Sequence, residues 1–175
     1  MASDETREAI VVGAGPVGLT AALALRAYGV PVTVLEAGPV DRQRPGSRAI
    51  FTHSSTLAVL DRLSPGLGAD LAAHGVYWNT QRTFYAGREV YAKTYPDPPA
   101  GTYPHFTSLP QVHIEAHLLE HAKAAGVEFA WDQEVTDVVA DDAGVRLATA
   151  GGTTWRAPYV VGADGSRSVV RHRIG

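Results

Sequence analysis

The chain of 175 residues contains no cysteine, which excludes disulfides, thiolate metal sites and cysteine nucleophiles. Positive charge is not in excess either, because the net charge is −3, so electrostatics give no reason to expect binding to nucleic acid or to an anionic membrane. No apolar run reaches the roughly 18 residues of a membrane span, and the polar residues 1–8 do not resemble a signal peptide. We therefore expect a cytoplasmic protein that binds neither nucleic acid nor membrane.

The residues that are present suit a globular protein, and the most informative of them form a glycine-rich turn. Hydrophobic residues make up 45% of the chain, whose length suffices for one domain with a sizeable core. A strand-like run at 9–12 leads into Gly-Ala-Gly-Pro-Val-Gly at 13–18, and an Ala/Leu-rich helix of about three turns follows. Glycines at 13, 15 and 18 permit a sharp turn, close approach of a pyrophosphate and packing of the helix on the strand. We therefore predict that this turn binds a dinucleotide phosphate through Gly13, Gly15, Pro16, Val17 and Gly18.

An acidic residue stands where a dinucleotide-binding unit requires one. The apolar run at 30–35 predicts a buried parallel strand, and Glu36 follows it, 18 residues beyond Gly18. A carboxylate there can accept both hydroxyls of an adenosine ribose and would repel a 2′-phosphate, so FAD or NAD fits better than NADP. Residues 8–36 are therefore predicted to form a βαβ unit that binds a dinucleotide. The alternative is an ordinary βαβ unit in which the glycines of the turn occur by chance.

Three arginines follow this acid in a polar segment, residues 41–48, that glycine and proline interrupt. Guanidinium groups match phosphate oxygens, so Arg42, Arg44 and Arg48 are candidates for contact with the cofactor. For Arg42 and Arg44, a solvated basic loop is an equally good interpretation. Arg48 precedes the apolar residues 49–51, which should anchor it near the folded body.

Residues 50–108 are predicted to form a mixed insertion of short helices and strands. Apolar positions 57, 60 and 63 predict a helix over 54–63, and Pro65-Gly66 separates it from a second helical stretch that ends at 74–75. The runs at 76–78, 83–85 and 89–91 are typical of strands, with a hairpin turn at 86–88. The aromatic residues concentrated in these runs either line the floor of a ligand pocket or pack within the sheet.

The segment Leu-Pro-Gln at 109–111 is predicted to open a helix that runs through residue 125, and histidines recur on it at four-residue spacing. The run His-Leu-Leu-Glu-His at 117–121 even reproduces a zinc-protease pattern. A zinc site also needs a further ligand and a dry cleft. The apolar stripe through Ile114 and Leu118 is expected to face the core instead, leaving the histidines on a wetter flank. We therefore predict no metal at His113, His117 and His121.

The last third of the chain returns to β-structure. The run at 127–130 predicts another parallel strand, and alternating segments within 135–156 predict a three-stranded antiparallel meander. A strand at 158–162 would deliver Asp164-Gly165 to the carboxyl edge of the sheet, where ligands of open α/β folds bind, although alone this pair is merely a turn dipeptide. The predicted fold class is therefore α/β, a Rossmann-like domain with a parallel sheet, a meander and an extra small β-region.

The motifs taken together resemble a known family. They occur in the order GAGPVG at 13–18, Glu36, Arg48, Leu-Pro-Gln at 109–111, and GADGSRSVVR at 162–171. This combination resembles the FAD-dependent aromatic hydroxylases, the single-component flavoprotein monooxygenases, and among them the phenol, pentachlorophenol and polyketide hydroxylases. The resemblance runs from about residue 8 to residue 175 and implies a glutathione-reductase-like FAD-binding domain.

The resemblance implies a role for each motif. The glycines of 13–18 would receive the FAD pyrophosphate and Glu36 the adenosine ribose, while Arg48 matches an arginine at the FAD phosphates. Gln111 matches a glutamine on the flavin side, and Asp164 an aspartate near the ribityl and phosphate groups. Arg171 matches an arginine tied to the order of that motif and to pyridine-nucleotide binding. The implied reaction is reduction of FAD by NAD(P)H, capture of O₂, and hydroxylation of an electron-rich aromatic substrate.

The resemblance also limits what this chain supplies. Family members carry a later Gly-Asp motif and a substrate domain, and no segment here matches either. We therefore expect the amino-terminal portion of a longer enzyme, inactive by itself, with no residue assigned as catalytic. Two alternatives stay open: another flavoenzyme of the same fold, and a non-catalytic nucleotide-binding fragment.

Overall fold

The computed structural model describes residues 4–42 and 49–175. The chain divides into two compact units, one of Met1–Pro45 with Leu118–Gly175 and the other of Gly46–His117. Among the described residues, the first unit holds two four-stranded sheets and the second holds two two-stranded sheets.

The described residues form twelve strands and five helices. The strands in chain order are β1 (Asp4–Thr6), β2 (Ala9–Val12), β3 (Thr33–Leu35), β4 (Ala49–His53), β5 (Thr80–Tyr85), β6 (Arg88–Thr94), β7 (Phe106–Pro110), β8 (Glu128–Ala130), β9 (Val135–Asp141), β10 (Gly144–Thr149), β11 (Thr154–Ala157) and β12 (Tyr159–Gly162). The helices are α1 (Pro16–Ala27), α2 (Ser54–Leu63), α3 (Leu67–His74), α4 (Gln111–Ala124) and α5 (Val169–Ile174).

A parallel sheet in the order β12-β2-β3-β8 forms the centre of the first unit. The predicted strands before and after α1 are both present, and every residue of β2 and β3 is buried, as expected for strands covered on both faces. Along the chain, strands are added on one side of β2 until β12 pairs on its other side. The strand order therefore reverses at β2, and the carboxyl ends of β2 and β12 flank the crevice where open α/β sheets bind ligands.

The two faces of this sheet are covered by different elements. On one face, α1 packs with Leu19, Ala22 and Leu23 fully or almost fully buried. On the other face, Ile10 and the strands next to it share a hydrophobic core with the meander, including Leu147 and Trp155. Because side chains alternate along a strand, one run of four apolar residues in β2 serves both layers.

The predicted meander is confirmed, with one addition. Strands β9, β10 and β11 pair antiparallel in sequence, and β1 joins β11 in parallel as the fourth strand. Residues 4–6 were not predicted to form a strand, because their polar composition carries no strand pattern. They form a strand because they pair with the edge strand β11, and not because of their own propensity.

The second unit contains α2, α3 and two antiparallel pairs of strands. The α2 prediction and the β5–β6 hairpin are confirmed. The prediction that Leu109-Pro110 opens a helix is wrong, because these residues end β7, which pairs with β4, and the helix begins only at Gln111. Residues 76–78 form no strand, and only Val76 makes a bridge, to Ser108.

Aromatic rings in the second unit pack mainly on Phe106, whose exposed fraction is 7%. Four rings lie with centroids between 4.3 and 6.3 Å from its own, those of Phe51, Tyr77, Trp78 and Tyr95. Because these rings fill the space between one another, the contacts favour packing within the unit over the floor of a ligand pocket as the role of these aromatic residues.

None of the helices in the described ranges has both the length and the apolar character to cross a membrane.

Candidate functional site

A cleft of about 230 Å³ lies at the carboxyl ends of β2, β3 and β12, within the first unit. Its lining brings together four of the residues that the sequence predicts to bind a cofactor. They come from three separate segments of the chain: Gly13, Gly15, Glu36 and Asp164. The location matches the reversal of strand order described above, which is where such sheets bind nucleotides.

The glycine turn is held against two neighbouring strands. Gly13 has φ of +102°, and its N–H donates to the Leu35 carbonyl oxygen at 2.7 Å. A Cβ at Gly13 would lie 2.5 Å from the Ala163 carbonyl oxygen, and one at Gly18 would lie 1.8 Å from the Gly13 carbonyl oxygen. Any larger residue at either position would therefore have to push the backbone apart.

The start of α1 is prepared for an anion. Gly15 is the residue before the helix, Pro16 is its first residue, and no side chain caps this end. Val17, the next residue, is 70% exposed. The first N–H groups of a helix and its dipole favour a negatively charged group, and Pro16 removes none of the bonds that the helix uses.

Glu36 lies at the end of β3 with only 7% of its surface exposed. Its Oε2 accepts the Ala14 N–H at 2.7 Å and its Oε1 accepts the Gly38 N–H at 3.1 Å. The carboxylate is therefore tied to the glycine turn and to its own loop. Oε1 also lies 3.5 Å from Arg42 Nε, so the orientation of the carboxylate beside the turn is fixed.

Asp164 follows β12 and accepts three hydrogen bonds from the start of α5. The Ser168 hydroxyl donates to Oδ1, and the backbone N–H groups of Val169 and Val170 donate to Oδ2 at 2.6 and 3.1 Å. Burial alone would raise the pKa of Asp164, but these hydrogen bonds outweigh it and hold the pKa below its ordinary value. The side chain thus caps α5 and also lines the cleft.

Residues 6–175 match the family described as FAD binding domain. The chain belongs to this family. It is 37% identical over 172 residues to para-nitrophenol 4-monooxygenase of Pseudomonas sp. (strain WBC-3), covering 95% of this chain and 42% of that protein. It is 35% identical over 168 residues to rifampicin monooxygenase of Streptomyces venezuelae, covering 96% of this chain and 34% of that protein.

A solved structure agrees with these relatives. The crystal structure of p-nitrophenol 4-monooxygenase PnpA from Pseudomonas putida DLL-E4 superposes with a TM-score of 0.84 at 34% identity, covering 98% of this chain and 44% of that one. The expected α/β FAD-binding fold is therefore confirmed. The chain spans less than half the length of these relatives.

Two of the predicted site residues of this FAD-binding domain fall outside the described residues of the first unit. Arg48 lies outside the described residues. Gln111 is the first residue of α4 and belongs to the second unit, where its Nε2 donates to Glu115 Oε1 at 2.8 Å. Contact of either residue with FAD stays a prediction.

Two of the arginines that follow Asp164, Arg167 and Arg171, differ in position. Arg171 is exposed and lies outside the lining of the cleft; its guanidinium donates to the Ser166 carbonyl oxygen at 2.8 Å, and its N–H donates to Ser168 Oγ at 3.0 Å. These bonds order the turn after Asp164, while a contact with a pyridine nucleotide stays a prediction. Arg167, which lines the cleft, is not among the site residues predicted from the sequence.

A loop after β8 forms the remaining wall of the cleft and was missed in the sequence. Gln133, Glu134 and Val135 line the cleft, and the Gln133 N–H donates to the Glu36 carbonyl oxygen at 2.8 Å. The available signal was positional: these residues follow a predicted parallel strand, as Glu36 does, and the carboxyl ends of such strands share one edge of the sheet.

The histidines of α4 do not lie on its buried stripe. Ile114 and Leu118 are buried as predicted, and Ala122 on the next turn is buried as well. The centroid of the His117 ring lies 4.6 Å from that of His74. In the part of the chain that the structure describes, no three His, Asp or Glu side chains are grouped to hold a metal ion.

We expect elemental analysis of chelator-free protein to find less than one zinc per chain, because a stable site needs at least a third protein ligand. One equivalent of zinc that disappears in His117→Ala would contradict this prediction. The His113→Ala variant, at an exposed position of the same helix, serves as the control.

Proposed function

We propose that the chain is the FAD-binding part of an NAD(P)H-dependent monooxygenase that uses O₂ to hydroxylate a small aromatic substrate of phenolic or polyketide type. The observation that carries the proposal is the cleft in which the Gly13 turn, Glu36 and Asp164 meet at the reversal of strand order. The names of the relatives, a nitrophenol monooxygenase and a rifampicin monooxygenase, support the reaction class and the aromatic substrate.

The residues of the cleft fit the adenosine and pyrophosphate part of FAD. The uncapped start of α1 would hold the pyrophosphate through its N–H groups, with Arg167 as a nearby cation. Glu36, which lines the cleft beside the glycine turn, would accept the ribose hydroxyls. A volume of about 230 Å³ suits a nucleotide rather than a whole dinucleotide, since sites for drug-sized ligands begin near about 300 Å³.

Bound FAD would supply the electron transfer from nicotinamide and the reaction with O₂. The chain's own residues would bind and orient the cofactor: Asp164 orders the turn at residues 165–168, and the loop after β8, which lines the cleft, would cover the adenosine end. Because the chain spans about two-fifths or less of its curated relatives, we propose that a substrate pocket closed to water needs further residues. We therefore expect the chain by itself to form no hydroxylated product.

Titration calorimetry of the chain with FAD tests the proposal, with Glu36→Ala as the informative variant. The variant should bind FAD at least about tenfold more weakly, because hydrogen bonds to a charged group contribute roughly 1.5–3 kcal/mol. Glu120→Ala, which removes an exposed glutamate on α4, should bind FAD like the unsubstituted chain.

The same experiment has outcomes that oppose the proposal. An unsubstituted chain that binds no FAD, or binds NADP in preference, would contradict it and favour a different nucleotide-binding role.

The reductant is tested by mixing the FAD-loaded chain with NADH or NADPH without oxygen. If neither nucleotide bleaches the flavin absorbance, the proposal that NAD(P)H reduces FAD bound to this chain is contradicted.

A further inference from the structure

Arg42 is held in the first unit by three different groups near the cleft. Its Nη2 donates to the Ala14 carbonyl oxygen of the glycine turn at 2.8 Å, and its Nε lies 3.5 Å from Glu36 Oε1. Its guanidinium also lies over the Trp131 ring, 5.0 Å from the centroid. Of the two interpretations that the sequence left open, a solvated basic loop is therefore wrong for Arg42, whose side chain is only 16% exposed.

The surroundings of Arg42 leave its side chain little freedom. Trp131 is itself stacked on Phe129, with centroids 5.4 Å apart and planes 11° from parallel. On another side, a Cβ at Gly38 would lie 2.9 Å from Arg42 Cδ, so the loop backbone is in close contact with the arginine stem. A guanidinium between an aromatic face and a carboxylate is a well-oriented cation rather than a mobile one.

The pair of charges is almost removed from water. The side chain of Glu36 is 10% exposed, and a buried carboxylate is costly unless a cation or hydrogen-bond donors compensate it. Arg42 supplies the cation, and through Ala14 it also braces the turn whose N–H group binds the other carboxylate oxygen. One side chain thus fixes both the acid and the phosphate-binding turn.

We propose that Arg42 is a positioning residue for Glu36, and that the Glu36–Arg42 pair decides between a 2′-hydroxyl and a 2′-phosphate on the adenosine ribose. This inference rests on the proposed function, because it places the ribose against Glu36. While the pair is intact, the carboxylate compensates the positive charge of the guanidinium, and a 2′-phosphate meets negative charge. Without the carboxylate, the positive charge of the guanidinium is no longer compensated and attracts a phosphate beside the ribose.

The test compares ADP-ribose with its 2′-phosphorylated form, since the two ligands differ only in that phosphate. Titration calorimetry should show the unsubstituted chain preferring ADP-ribose, and Glu36→Gln losing that preference by about tenfold or more. In Glu36→Gln/Arg42→Met, the gain of affinity for the 2′-phosphorylated ligand should disappear. Arg42→Met alone should bind ADP-ribose several-fold more weakly.

Arg26→Met is the matched control, because Arg26 also donates from a partly buried guanidinium to a distant carbonyl oxygen, that of Ala125, at 2.9 Å. Arg26→Met should lower the thermal midpoint without changing the ratio of the two affinities. If Arg42 had a purely structural role, Arg42→Met would have the same two effects. An unchanged ratio in Glu36→Gln, or an equal ratio in the single and double variants, would overturn the inference alone. Failure of the unsubstituted chain to bind either ligand would overturn the proposed function together with it.

Discussion

Replacement of Gly18 by alanine is expected to destabilise the first unit by about 3 kcal/mol and to abolish FAD binding. In an ordinary helix this substitution stabilises by about 1 kcal/mol. Here the added Cβ would lie 1.8 Å from the Gly13 carbonyl oxygen and 3.3 Å from Val11 Cγ1, so α1 must move away from the turn and the strand. Chemical denaturation and FAD titration of the same sample measure the two effects.

Gly151→Ala provides the control for this substitution. Gly151 has no atoms within 4 Å of an added Cβ and no positive φ, so the alanine should change neither stability nor FAD affinity. If Gly18→Ala proved as stable as Gly151→Ala and bound FAD equally well, the close packing of α1 on the turn would not be what shapes the site.

Asp164→Ala should lower the free energy of unfolding by about 2 kcal/mol and weaken FAD binding. The substitution leaves the Ser168 hydroxyl and the N–H groups of Val169 and Val170 without their acceptor, so the turn that lines the cleft loses its order. Asp137→Asn is the matched control, because it removes an exposed aspartate that pairs with Arg173 of the same helix at 3.0 Å. Exposed pairs of this kind contribute about 0–1 kcal/mol.

The pH dependence of stability gives a second measurement on Asp164. Because its pKa is lower in the folded chain than in the unfolded chain, the carboxylate contributes stability above the ordinary value of about 3.9. That contribution is lost as the pH falls through the lowered pKa. The unsubstituted chain should therefore lose more stability than Asp164→Asn as the pH falls below about 4. Parallel curves for the two proteins would contradict the capping role.

Elements with a local signal were predictable from the sequence. Helix α2 has apolar residues at helical spacing and a Pro-Gly pair beyond its end, and the meander has alternating strands with glycine turns. For the cleft, Gly13, Gly15 and Glu36 were predictable because the strand, turn, helix, strand and acid follow one another within 28 residues, from Ala9 to Glu36.

Elements whose partner lies far along the chain were not predictable. Residues 4–6 become a strand through pairing with β11, and Leu109-Pro110 ends a strand because β4 lies beside it. Helix α5 was also missed, since six residues carry little periodic signal and its start depends on the Asp164 carboxylate. In each case a tertiary partner outweighs a weak local preference.

The sequence by itself determined that this chain carries a dinucleotide turn with an acid at the next strand end, because those residues interact within one local unit. Only the tertiary structure decided how the acid is used. Glu36 is bound to the Ala14 N–H across 22 residues, and Arg42 lies over Trp131, which is 89 residues away. The pairing of β3 with β8 brings these groups together, because parallel strands in register place their carboxyl ends, and the loops that follow them, side by side.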